Sequence, residues 1–60
     1  MRTERLIEDA LNNIEDALYF DRDKAHMLYS ESLARMEVEN INEVQKGFFM
    51  VQAEQLFNLY

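Results

Sequence analysis

Phe48-Phe49-Met50-Val51-Gln52-Ala53-Glu54-Gln55-Leu56-Phe57-Asn58-Leu59-Tyr60 holds nine apolar residues in thirteen and one charge, Glu54. Wound as a helix, it carries large side chains nearly all the way round. A helix apolar on every side is normally buried, so this stretch demands cover on more than one face. In a chain of sixty residues the source of that cover decides the fold.

Size sharpens the question. A chain of this mass hides roughly 6,000 Å² on folding, about 3,700 Å² of it apolar. At about 25 cal/mol per Å² the apolar part stabilises by on the order of 90 kcal/mol. Ordering the residues costs about 1.5 kcal/mol each, again near 90. The two terms cancel, and small chains escape that balance through disulfides, a metal or self-association. Cysteine is absent, which excludes disulfides and thiolate metal sites. Self-association is the expected remedy.

Upstream, the apolar spacing is helical. Ile7, Leu11, Ile14 and Leu18 step by four, three and four, with Ala10 and Ala17 beside them and Leu6 on the flank. Thr3 is placed to cap this helix, and Glu4 puts negative charge in its first turn. The spacing predicts a helix over about 3–20. Asp21-Arg22-Asp23-Lys24 follows, with Asp21 at the next core position of the stripe, where it breaks the seam. A turn over 21–23 is expected, either aspartate being able to accept backbone N–H bonds at a new helix start.

The second segment carries Tyr29, Leu33 and Met36, then passes through Asn40 to Ile41, Val44, Phe48 and Val51. Met27, Ala34, Ile41 and Phe48 recur every seven residues, as along a coiled-coil seam. In that reading Asn40 is a polar residue that either fixes register or turns to solvent. Glu31, Arg35 and Glu39 stand four apart on a solvent-compatible face. Proline is absent and Gly47 is the only glycine. The seam stays in step through Gly47, so one long helix over about 23–58 is expected, with three helices and a break at Gly47 as the alternative.

Those lengths set the expected assembly. Helix one covers roughly 26 Å and helix two roughly 52 Å at 1.5 Å per residue. The expected fold is therefore all-α: an antiparallel hairpin with a long second helix, dimerising as a helical bundle. Ile41, Val44, Phe48, Val51, Leu56 and Leu59 are the expected self-association core. Phe49, Met50, Phe57 and Tyr60 flank it as a landing site for another protein.

Leu28-Tyr29-Ser30-Glu31-Ser32-Leu33-Ala34-Arg35-Met36 resembles part of the second helix of the Rop-type plasmid copy-control proteins, antiparallel hairpin dimers that bind paired RNA loops. The likeness spans nine residues of sixty and implies the hairpin architecture alone. Helix one here is acidic where an RNA-facing surface would be basic or neutral-polar.

Charge narrows the function. Twelve Asp and Glu against six Lys and Arg give net charge −6, without the basic stripe of a duplex binder and against adhesion to anionic lipid. No basic-then-apolar leader opens the sequence, and the longest apolar run, Phe48 to Val51, is far short of a membrane span. A cytoplasmic protein is expected. One His and two Ser build no catalytic triad, and no glycine-rich loop cradles phosphate; neither enzymatic activity nor a cofactor is expected.

Two other readings attach to particular residues. Asp23-Lys24-Ala25-His26 places a carboxylate and an imidazole three apart, as di-iron bundles do with Glu-x-x-His; Glu31 or Glu37 would complete a carboxylate-rich metal site. A helix cap and a surface histidine explain the same letters. Glu4, Glu8, Asp9, Glu15 and Asp16, with Asp21 and Asp23, would suit a phage- or plasmid-type acidic mimic of nucleic acid. Arg2, Arg5, Arg22 and Lys24 dilute that field. The function expected first is a self-associating interaction protein, acting as regulator, adaptor or inhibitor by occupancy, with itself and another protein as partners.

Overall fold

The computed structural model describes the backbone of residues 2–60 and the side chains from Glu4 onward. Three helices follow one another: α1 (Arg2–Leu18), α2 (Arg22–Val38) and α3 (Glu43–Leu59). No strand occurs among the described residues. The protein is all-α.

The amphipathic spacing of α1 produces its packing directly. Ile7, Ala10, Ile14 and Ala17 are buried on one side, with Leu6, Leu11 and Leu18 packed alongside. The helix begins at Arg2, so Thr3 lies inside its first turn rather than before it. At the other end the Asp21 N–H bonds to the Ala17 carbonyl at 2.7 Å. Asp21 then sits in extended backbone, and its Oδ1 accepts from the N–H groups of Asp23 and Lys24. That is an N-cap satisfying two donors that helix geometry leaves unpaired. The turn expected over 21–23 therefore closes slightly earlier, at 19–21.

The long second helix does not form. The segment expected over 23–58 is divided at Glu39–Asn42, and the break does not fall at Gly47, which lies inside α3. Asn40 adopts φ 57°, a left-handed conformation that asparagine tolerates better than most residues. The Asn40 N–H bonds to the Glu37 carbonyl at 3.1 Å and the Ile41 N–H to the Met36 carbonyl at 3.0 Å. This pair of bonds is the Schellman arrangement that closes a helix. Its usual hydrophobic contact is present, since Ile41 packs against the cluster containing Met36. Asn42 then caps α3, its Oδ1 accepting from the Val44 N–H at 2.7 Å. Asn40 is thus an exposed turn residue, and fixes no seam.

The break brings α3 back onto the other two helices. The longest dimension of the chain is 30 Å, against the roughly 52 Å an unbroken second helix would need. Its radius of gyration, 10.8 Å, is close to the roughly 10.4 Å of a folded chain this long. The surface left accessible is 4510 Å², so folding hides about 5,900 Å² relative to the extended chain. One copy achieves the burial expected of a folded domain of its mass. The helix-length argument for a dimer is thereby removed.

All three helices supply the core. To the α1 residues are added Ala25 and Met36 from α2, and Phe49 and Ala53 from α3. Small residues at Ala10, Ala17, Ala25 and Ala53 leave room for the larger Ile14, Met36 and Phe49, which are completely buried. The heptad recurrence dissolves in this arrangement: Met27, Ala34 and Phe48 are exposed while Ile41 packs inward. No helix of the described residues is long and apolar enough to cross a membrane.

Candidate interaction surface

The inner face of α3 is held to α2 through aromatic contacts. Phe49 stacks on Tyr29 with ring centroids 5.5 Å apart. Phe57 lies flat against His26 at 4.3 Å and meets Tyr29 edge-on at 6.1 Å. Arg22 sits 5.9 Å from the Phe57 ring centroid and donates from Nη2 to the Phe57 carbonyl. The last turn of α3 has no basic residue of its own. Arg22 therefore supplies the cation that its exposed carbonyls favour.

The end of α3 is tied to α1 by hydroxyl chemistry. Tyr60 donates its hydroxyl to Oε2 of Glu15 at 2.9 Å and lies 2.9 Å from the hydroxyl of Tyr19. Glu15 lies in the last turn of α1 and Tyr19 just past its end, four residues on, so both reach the same phenol. Hydrogen bonding to Tyr19 and then to Glu15 raises the Tyr60 phenol well above its ordinary range, because ionising it would lose its bond to the carboxylate and set two anions together.

The residues expected to seat a partner thus divide. Phe49 is completely buried and belongs to the core, so the expectation that it receives another protein is corrected. Phe57 is partly covered by Arg22, His26 and Tyr29; Met50 and Tyr60 stay partly exposed. Among the expected self-association residues, Ile41 and Leu56 pack against the chain's own core. The remaining four, Val44 (80% exposed), Phe48 (55%), Val51 (54%) and Leu59 (76%), face solvent.

Those four share one face. Along a helix of 3.6 residues per turn, positions 44, 48 and 51 superpose, and Gln55 carries the row on to Leu59. Phe49 and Ala53 lie on the opposite side. α3 is accordingly apolar on two faces, of which the bundle covers one. Beside the row, Val44, Gln45 and Phe48 join Glu4, Ile7, Glu8 and Leu11 of α1 around a groove of about 550 Å³.

Gly47 is a residue whose role sequence reasoning missed. It stands between Val44 and Val51, three after one and four before the other. Its backbone is not in the positive-φ region, and a Cβ built there would meet nothing within 4 Å. Neither the fold nor the backbone requires glycine at this position. What it creates is a notch beside the exposed row. The only sequence signal was a glycine in the middle of an otherwise unbroken helical pattern.

The acidic and metal readings map onto scattered places. Of the α1 acids, Glu15 is engaged by Tyr60, Glu4 and Glu8 border the apolar groove, and Asp9 and Asp16 border two other grooves. Asp21 caps α2. Among the described residues no three His, Asp or Glu side chains gather as metal ligands, and His26 rests on Phe57. Of the expected series Glu31, Arg35 and Glu39, Arg35 in the last turn of α2 pairs with the capping residue Glu39 at 2.8 Å, an exposed pair of small energetic weight.

Comparison of the chain with protein-family models, curated proteins and solved structures finds no match.

Proposed function

We propose that this protein is a small acidic interaction module that acts by occupancy, as a regulator, adaptor or inhibitor. It docks another polypeptide, a second copy of itself included, along the outer face of α3. The observation carrying this reading is the exposed row Val44, Phe48, Val51 and Leu59 on a helix whose opposite face is already buried. Exposed apolar residues scattered singly need no explanation, but Val44, Phe48 and Val51 on successive turns beside an apolar groove mark an interaction site. Helix-in-groove recognition uses this i, i+4, i+7 spacing of anchors.

The chemistry present suits binding better than catalysis. The chain's single histidine packs its ring against Phe57. A net charge of −6 disfavours a nucleic-acid backbone as the partner. The cysteine-free sequence suits a reducing, cytoplasmic setting.

The test must separate the face from the fold. Cutting the chain after Lys46 would remove Phe49 and Ala53 from the core and unfold the bundle. Phe48→Asp and Val51→Asp instead change only solvent-facing positions. Both variants should keep the helicity and melting temperature of the parent and lose association, whether read by sedimentation or by co-purification from the native host. Full association by the double variant would end the proposal.

A further inference from the structure

We infer that the outer face of α3 seats a basic amphipathic helix, with Val44, Phe48 and Val51 receiving its apolar stripe and Gly47 letting it approach closely. The inference rests on the docking role proposed above and names the occupant.

Charge complementarity selects the sign of the partner. The apolar row is bordered on the α1 side by Glu4 and Glu8, which line the shared groove. On its other side Glu43 and Glu54 are exposed, one turn before and two turns after Gly47 along α3. α3 has a single cation, Lys46, and its ammonium lies 3.8 Å from Glu37 of α2. The described rim is therefore net anionic, its four acids set against Arg5, which adjoins Glu4 and Glu8. A second copy would bring the same acids against these, at a further −6 of net charge. Like charges facing one another at an interface are unfavourable, whereas lysines or arginines flanking an apolar stripe would complement them.

The shape of the face selects a helix. Glycine in a helix interior is destabilising relative to alanine, yet at Gly47 neither backbone conformation nor close packing within the chain calls for it. A side-chain-free notch between two exposed valines lets another backbone come near, as small residues do wherever helices cross closely. α3 itself is 17 residues long, enough to offer several turns of contact.

The probe is a displayed library of helices as long as α3. Each carries leucine at i, i+4 and i+7, and each flanking position is drawn equally from lysine and glutamate. The intact protein should enrich lysine at the flanks by roughly tenfold or more over glutamate, with binding that weakens as salt is raised. Phe48→Asp should abolish the selection. Gly47→Leu, which fills the notch while favouring helix, should cut the affinity of selected helices roughly tenfold with the melting temperature undiminished. Equal recovery of lysine- and glutamate-flanked helices overturns the basic partner and leaves the docking role standing. Unchanged affinity in Gly47→Leu overturns the close approach. A dimer that Phe48→Asp dissociates makes a second copy the occupant, and that also overturns the inference. Failure to recover any helix dependent on Phe48 overturns both the inference and the docking role.

Discussion

Ile41 donates its backbone N–H to the carbonyl of Met36 over 3.0 Å, and the side chains of both residues belong to the same packed core. This one bond, spanning five residues, turns a continuous helical pattern into two helices. It is available because Asn40, inside the loop it closes, accepts φ 57°.

Asn40 is therefore the residue on which the turn depends. Asn40→Val places a β-branched side chain in the left-handed region, which costs about 1–2 kcal/mol. A core this small supplies only about 3–5 kcal/mol, so a large share of the stability goes. The same substitution favours an unbroken α2–α3 helix, which can close only against another copy. Urea denaturation should show the loss, and sedimentation at high concentration should show a dimer absent from the parent. Asn40→Gly should leave both unchanged or improved.

Neighbouring phenylalanines should behave oppositely. Phe49→Ala empties a fully buried site stacked on Tyr29, and such truncations cost about 3–5 kcal/mol. That is the whole stability of a chain this size, so circular dichroism should report an unfolded protein. Phe48→Ala, one residue earlier and exposed, should change the unfolding free energy by no more than about 0.5 kcal/mol. Equal effects at the two positions would mean that α3 is rotated from the arrangement described.

Gly47→Ala should stabilise the bundle by about 0.5–1 kcal/mol, the usual gain from replacing an interior helical glycine. The added methyl group has open space around it. A rise in the melting temperature checks this, and a fall would show that the position has no room for a methyl group.

High pH should loosen the end of α3. The Tyr60 phenol is raised from its ordinary value of 10.0, first by the hydrogen bond with Tyr19 and next by that with Glu15. A folded-state pKa above the unfolded one means the link contributes fully below about pH 10 and is lost as pH rises through the folded value. In a phenolate absorbance titration the last tyrosine to ionise should vanish in Tyr60→Phe, and the parent's excess stability over that variant should disappear at strongly alkaline pH.

Much of this architecture was legible in the residues. The step of four, three and four from Ile7 to Leu18 is amphipathic enough that only one side of α1 can be inside, and Asp21 both interrupts that stripe and supplies a capping carboxylate. The second connection was hidden by coincidence. Met27, Ala34, Ile41 and Phe48 fall seven apart whether or not a helix joins them, because period alone does not record a turn that happens to keep phase. Asn40 and Asn42 are the signal that was there: one suits the left-handed end of a helix, the other the cap of the next.

The apolar character of Phe48–Tyr60, which demands cover on more than one face, follows from the sequence by itself. So do the all-helical class, the first capped turn and the acidic balance, because each depends on neighbours along the chain. Which face of α3 the chain covers, and which it leaves exposed, was decided only in three dimensions. Phe48 and Phe49 are chemically identical, and adjacent positions on a helix point about 100° apart. Only the direction in which the Asn40 turn swings α3 puts Phe49 against Tyr29 and leaves Phe48, with Gly47 beside it, facing outward.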